Sequence, residues 1–397
     1  MSKTIAVVGA AIMILAVVVF GLRFIAGDED NWLCENGQWV KHGQPSSPAP
    51  STGCDEDVNI NQNSEPPLQA AIDNCVDKYF TESPVAIDNL ASITPLGNLN
   101  PPEHTLPTEH MYFRLADQAQ AVDLIAPGDI LITELTSTED LTRGTVDYSM
   151  FFKLCDDISG YFIHIQQLEP QLLALLDNAV CSGSGSYPYC RAADLLISVT
   201  AGTKIGVVGG DSRTATFDFG AWDTTVSHQR ANPGRYTSRS PYIVCPLDLY
   251  DEANGAALYE KIQRQQEPRC GDVSVDAIGT LQGNWSAEEN MNFYAGGDWT
   301  KELAFVPDNY DPDKLVISIG GNFTDAGIWN FDPTTSGNIN RAFTEVAPDG
   351  NIYCYQTSDK AGSILVRLTS ENELDIEHQS SSCLANQAMK NPVKYYR

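Results

Sequence analysis

The sequence predicts a mostly β protein: one N-terminal transmembrane helix, an antiparallel β-sheet domain, and a second β domain, a sandwich or barrel, at the C-terminus. Three observations carry that prediction. An uncharged apolar run extends from Ile5 to Leu22, about the ~18–20 residues a helix needs to cross a bilayer core. Short apolar runs of strand length, broken by Gly, Pro and Asp, fill about Ile87 to Leu249 and resume after Gly271. Ten cysteines lie behind the apolar run and none forms a C-x-x-C pair, which argues for disulfides in an oxidising compartment rather than a zinc ribbon.

Residues 1–27 read as a membrane anchor. Lys3 precedes the run and Gly27-Asp28-Glu29-Asp30 follows it, while Arg23 can snorkel to the headgroups. The body is therefore expected outside the cytoplasm, on a single-pass anchor. A signal-peptidase cut after Ala26 would place Phe24 at −3, where a small residue is required, so the anchor is expected to stay.

Residues 28–84 read as a stalk rich in Cys, Pro and Ser. It holds a turn at Asn36-Gly37, a Pro/Ser spacer from Gln44 to Cys54 that cannot build a core, and a short amphipathic helix over Leu68 to Phe80. Spacing favours the local disulfides Cys34–Cys54, Cys181–Cys190 and Cys354–Cys383; each such loop adds about 2–4 kcal/mol.

Residues 85–250 carry the first β domain. Its strand runs include Ile130-Leu131-Ile132, Tyr148 to Phe152, Tyr161 to Ile165, Leu195 to Val199 and Ile205 to Val208, with a helix over Glu169 to Ala179 after Pro170. A connecting helix is expected within 251–270. The second β domain spans 271–397, with runs such as Leu303 to Val306, Leu315 to Ile319 and Ser363 to Leu368, and a hairpin signal at Asp349-Gly350. Its opening Gly283-Asn284-Trp285 is similar to the Gly-x-Trp of lipocalin-like barrels.

The net charge of −28, from 24 basic and 52 acidic residues, excludes nucleic acid as a partner, because phosphate binding needs clustered Lys and Arg. The acidic run Asp308 to Asp313 lacks the spacing and glycine of an EF-hand loop and reads as a solvated loop, as does Asp55-Glu56-Asp57. Asn284-Trp285-Ser286 and Asn322-Phe323-Thr324 match the N-glycosylation pattern.

Candidate chemistry centres on histidines. Of the six, His42, His228 and His378 belong to no constellation, whereas His104, His110 and His164 fall on ordered segments of the first β domain. Ile125-Ala126-Pro127-Gly128-Asp129-Ile130 forms a Pro-Gly turn. Tyr161-Phe162-Ile163-His164-Ile165 is a strand carrying a histidine. Val199 to Gly209 is a glycine-punctuated hairpin, and Phe217-Asp218-Phe219-Gly220 closes the series. In this order the stretch Pro101 to Asp223, about a third of the chain, resembles the lysostaphin/LytM family of zinc endopeptidases, which cut peptide bridges in peptidoglycan.

The resemblance implies a metal-binding His-x-x-x-Asp motif, a catalytic histidine on the Tyr-x-His strand, and a final His-x-His that supplies a metal ligand and a second catalytic histidine. His164 occupies the catalytic place on its strand. The His-x-His places read Thr216 and Asp218, and the first motif is blurred into His104-Thr105-Leu106-Pro107-Thr108-Glu109-His110. Zinc hydrolysis needs three protein ligands and an open position. The set that remains is His104, His110 and Asp218, with His164 as base, and its donors would have to converge within about 4–5 Å of one point.

The leading expectation is a membrane-anchored extracytoplasmic protein whose LytM-like domain no longer hydrolyses. It would bind cell-wall or surface glycan or protein, or regulate a hydrolase, and would need no cofactor. The alternatives are an active zinc endopeptidase on the rebuilt ligand set and a purely structural envelope component.

Overall fold

The computed structural model describes residues 31–35, 38–42, 75–76, 78–182, 187–210, 216–294 and 297–397. The run Ile5 to Leu22, the spacer, Cys54, the expected Cys34–Cys54 bond and most of the expected helix over Leu68 to Phe80 lie outside the described residues. Among the described residues no helix is long and apolar enough to cross a membrane. The chain packs as two compact units, residues 1–60 and 61–397. In the first, β1 (Asn31–Glu35) and β2 (Gln38–His42) pair antiparallel with Glu35 opposite Gln38, a register that brackets Asn36-Gly37.

The second unit is mostly β, and every strand pairing in its three sheets is antiparallel. The first sheet has ten strands: β3 (Leu90–Thr94), β4 (Met111–Leu115), β6 (Ile130–Asp140), β7 (Thr145–Lys153), β8 (Ile158–Ile165), β10 (Val180–Ser182), β11 (Tyr189–Ala192), β12 (Ile197–Val199), β14 (Thr216–Asp223) and β15 (Ile243–Val244). Its main path runs β10-β11-β6-β7-β8-β14-β4-β3. Period-2 alternation builds one apolar layer from it: Met111, Phe113 and Leu115 of β4 and Phe217 and Phe219 of β14 are buried on the same side. Phe80 and Phe162 pack on Phe219, and Phe152 packs on Phe80 and Phe162, at ring centroids of 4.6–6.5 Å.

A small sheet, β5 (Ala121–Ile125), β13 (Lys204–Gly209) and β9 (Gln167–Leu168), is ordered β5-β13-β9. Gly206 of β13 lies so close to β9 that a Cβ there would meet the Gln167 carbonyl at 2.4 Å, so only glycine permits the pairing. The helix expected over Glu169 to Ala179 splits into α1 (Pro170–Leu173) and a 3-10 turn over Ala174–Asn178. The connecting helix is confined to α2 (Glu252–Tyr259), capped by the Asp251 carboxylate accepting from the Asn254 amide.

The third sheet is an eight-stranded half-barrel. It contains β16 (Gly283–Ser286), β17 (Glu302–Pro307), β18 (Leu315–Ile319), β19 (Gly327–Phe331), β20 (Tyr353–Tyr355), β21 (Ser363–Ser370), β22 (Glu373–Gln379) and β23 (Val393–Tyr396). The path β19-β18-β17-β16-β23-β22-β21-β20 places the last strand beside the first of the sheet. Trp285, Phe305, Phe343, Tyr355 and Tyr395 fill its interior. Trp285 donates to the Leu281 carbonyl at 3.0 Å and lies under the Arg397 guanidinium, 4.5 Å away.

The Asp349-Gly350 signal does not make a hairpin: β20 pairs with β21 on one edge and forms a parallel bridge from Cys354 to Ile339 on the other, and Asp349 Oδ1 turns the loop locally by accepting from the Asn351 amide. The hairpin falls instead between β21 and β22. Asn284 is fully buried in β16, so its sequon is closed to a glycan in the folded chain, whereas Asn322 is exposed.

The outer face of the half-barrel is covered too. Ala304, Val306 and Val316 pack with Leu106, Tyr236 and Phe293, joining the two large sheets along the segment that leads to His110. Four disulfides fasten the unit. Cys181–Cys190 and Cys354–Cys383 form as their spacing suggests, and Cys75–Cys155 and Cys245–Cys270 join more distant segments.

Candidate functional site

Strand pairing alone brings three site positions into line. In β14, Asp218 stands opposite Tyr112 of β4 on one side and Ile163 of β8 on the other. His110 immediately precedes β4 and His164 is the penultimate residue of β8. Alternation would point His164 away from both Ile163 and Ile165, but the register passes from Phe162 opposite Met150 to Ile165 opposite Tyr148. Ile163 and His164 together therefore oppose Ser149, and His164 takes φ 65°. This bulge re-aims the imidazole, and a non-glycine residue in that backbone region is a strained placement of the kind found at functional sites. Ile163 consequently faces a cavity while Ile165 is fully buried.

Asp218 is the hub. Only 2% exposed, it is not the solvated position that its place between two phenylalanines suggests. Its Oδ2 lies 3.2 Å from His110 Nε2 and 3.4 Å from His164 Nε2. His164 Nδ1 meets Asp147 Oδ2 of β7 at 2.7 Å. The His104 ring lies 6.2 Å from that of His110, and Tyr112 packs edge-on against His110 at 4.9 Å. His104, His110, His164 and Asp218 thus form one neighbourhood, whereas Thr216 sits earlier on β14, opposite Arg114. Asp147 gave no signal in the sequence because it is one acidic residue among the 52 of an acid-rich chain; only the β7–β8 pairing reveals it.

Burial and charge divide the cluster. Burial, helped by the neighbouring His104 and His164, lowers the His110 pKa to about 3, so this imidazole is neutral. Burial also works against charge on His164, yet the Asp147 hydrogen bond and the Asp218 and Asp147 carboxylates raise it to about 9. Asp218 is pushed up to about 7 by burial, partly offset by His164.

The expected zinc ligands are His104, His110 and Asp218, two imidazoles and a carboxylate, which suit zinc in kind; of their separations, the 3.2 Å between His110 and Asp218 matches the ~3.3 Å edge of a tetrahedron of 2.0–2.1 Å bonds. His110 Nε2 and Asp218 Oδ1 are buried without a hydrogen-bond partner, the 3.2 Å approach of His110 being poorly angled. Even so, no three His, Cys, Asp or Glu side chains among the described residues are arranged to hold a metal ion. One edge is met and the set as a whole is not: among the described residues His104 makes no ion pair with Asp218, and the second imidazole on that carboxylate oxygen is His164, the residue expected as base.

The cluster borders a cavity of about 320 Å³ whose lining includes His104, His110, Phe151, Tyr161, Trp299 and Glu302. Tyr161 stacks on Phe151 at 5.5 Å and donates to the Glu109 carbonyl. Gly220 makes this possible, since a Cβ there would stand 2.2 Å from the Tyr161 ring. The volume and the mix of aromatic walls with a few polar groups are those of a small-ligand site. No family model, curated protein or solved structure matches the chain.

Proposed function

We propose that this chain is a membrane-tethered, extracytoplasmic binding protein whose cavity over the His–Asp cluster holds envelope material, peptide or glycan, without hydrolysing it. One observation carries the reading. Asp218, in the place where the resembled LytM-type family keeps a histidine, is closed by two imidazoles on a single carboxylate oxygen, so the donors face one another instead of a common open point. The aromatic walls around the cluster supply the apolar contact that ligand retention needs. His164, held by Asp147, then orients and charges the floor of the cleft.

The experiment is a comparison on the full-length chain in detergent. Isothermal titration with Zn²⁺ and incubation with purified peptidoglycan are run beside a variant carrying Thr216→His and Asp218→His, which restores the family's histidine pair. Expected are retention of the wild-type chain on peptidoglycan, no released peptide, and zinc binding strengthened by the restored histidines. Stoichiometric zinc binding with peptide release by the wild-type chain would instead establish the active endopeptidase with its rebuilt ligands. Absence of retention on peptidoglycan or on envelope glycan would leave a structural component.

A further inference from the structure

A cation, Arg239, and an acid, Glu302, line the cavity, and neither makes an ion pair within 4.0 Å among the described residues, although the Glu109 carboxylate in the same lining acts on Arg239 at longer range. An arriving amine would draw Glu302 into its charged form. Arg239 lies over three rings, its guanidinium carbon 5.2 Å from the centroid of Phe151, 5.6 Å from Tyr161 and 5.3 Å from Trp222. No carboxylate pairs with it among the described residues, in a chain with 52 acidic and 24 basic residues. Arg239 is exposed, and the rings hold the plane of its guanidinium, which is how one is pre-organised for a carboxylate. Glu302, at the start of β17, is 5% exposed and also lines the cavity. Its carboxyl has no hydrogen-bond or ion-pair partner among the described residues. A buried carboxylate without a donor is costly, and burial accordingly pushes the Glu302 pKa up to about 8.

Arg239 and Glu302 do not pair with each other, although both border one cavity. Aromatic surfaces share the lining: Phe151 and Tyr161 beside Arg239, and Trp299, which is 46% exposed, close to Glu302 in sequence. A second acid, the half-buried Glu109, lines the same cavity; its Oε1 is unpartnered, while its carboxyl is met by the Ser240 hydroxyl and lies near Arg230 and Arg239. A ligand carrying one charge would satisfy only one of the two unpaired groups. A ligand with an anionic and a cationic end satisfies both.

We infer that the cavity recognises a short zwitterionic peptide, its free carboxylate bound by Arg239 and its free amine by Glu302. This deepens the binding reading above and rests on it, because it names the ligand chemistry of the same cleft. The cavity's about 320 Å³ suits a ligand of two or three residues at the small end of the usual pocket range.

The probe is trialanine, titrated into the full-length chain by calorimetry and by tryptophan fluorescence, beside its C-terminal amide, its N-acetyl form and the doubly capped peptide. For the wild-type chain each cap is expected to weaken binding about 10-fold or more. In Arg239→Gln the free acid and the amide should bind alike while acetylation still weakens binding. In Glu302→Gln the pattern should reverse. Arg239→Lys, which keeps the charge without the planar fork, should retain part of the discrimination against the amide. Circular dichroism of each variant identifies any that fails to fold, and the wild-type cap series stands independently of them. Equal affinity for all four peptides, no binding of trialanine at millimolar concentration, or loss of both discriminations in both folded variants would overturn the inference. Retention on peptidoglycan separates the two proposals. Wall binding with no charge dependence removes the zwitterion and keeps the broader reading, whereas trialanine binding without wall or envelope-glycan retention does the opposite.

Discussion

Replacing Asp147 by Asn should loosen the proton that His164 holds. In the folded chain His164 stands at about 9 against an ordinary 6.5: burial opposes charge, but the hydrogen bond to Asp147 and the Asp218 and Asp147 carboxylates outweigh it. Asp147 supplies that hydrogen bond and one of the two charges, so losing its charge should lower the His164 pKa by about 1–2 units. At 1.36 kcal/mol per unit this is roughly 1.4–2.7 kcal/mol before screening. Each of the two side chains is 36% exposed, and solvent reduces the figure to ~1 kcal/mol. The folded pKa lies above the unfolded one, so the stabilisation is fully present below about pH 6.5, declines as pH rises, and is gone above about 9. Urea unfolding should therefore separate wild type from Asp147→Asn by ~1 kcal/mol near pH 6, with the gap narrowing near pH 10. An NMR titration of the imidazole protons reads the pKa directly. A wild-type His164 that titrates near its ordinary value, or one that Asp147→Asn leaves unmoved, would refute the reasoning.

Three further outcomes are expected. Gly220→Ala puts a methyl 2.2 Å from the Tyr161 ring; it should destabilise by about 1–3 kcal/mol in thermal unfolding and weaken any ligand held against Tyr161. Removing Cys75–Cys155, with a separation of 80 residues, should cost about 4 kcal/mol, against about 2.5 kcal/mol for Cys181–Cys190, with a separation of 9; chemical denaturation of paired Cys→Ser variants reads both. Glu302→Gln should stabilise the chain above about pH 8: the buried Glu302 is raised from 4.5 to about 8, so wild type loses stability as pH rises through that window, by roughly 2–4 kcal/mol. Equal pH profiles for wild type and variant would contradict the burial argument.

Most strands were legible because their signal is local. Runs such as Tyr148 to Phe152, Leu315 to Ile319 and Ser363 to Leu368 fall within β7, β18 and β21, since strand-length apolar runs bounded by Gly, Pro and Asp leave few alternatives. Helices were overextended. After Tyr259 the chain leaves the helix to run beside β3, where the Ile93 amide donates to the Lys261 carbonyl and Ile262 is buried, so α2 stops there. The Asp349-Gly350 error has a different origin: a turn dipeptide specifies a bend, not which strands pair across it. At the site, the ordered motifs led to His104, His110, His164 and Asp218. Asp147, Arg239 and Glu302 were invisible, because their roles depend on the β7–β8 pairing and on a cavity lined by residues as far apart as 103 and 302 in the chain. The bulge at His164 was unreadable for the same reason, since it exists only relative to β7.

The bond Cys75–Cys155 also determines how the molecule would carry mechanical load. Cys155 sits in the turn that joins β7 to β8, the hairpin that bears Asp147 and His164. A pull arriving from upstream of Cys75 cannot peel the chain residue by residue through β3 to β7, because the covalent link closes that stretch into a loop. The force passes directly into the β7–β8 turn and is taken in shear by the neighbouring strands β6 and β14, which flank the hairpin in the sheet. The cleft is thereby anchored at its own supporting hairpin, and tension applied upstream of Cys75 would be felt beneath His164 before any strand was lost.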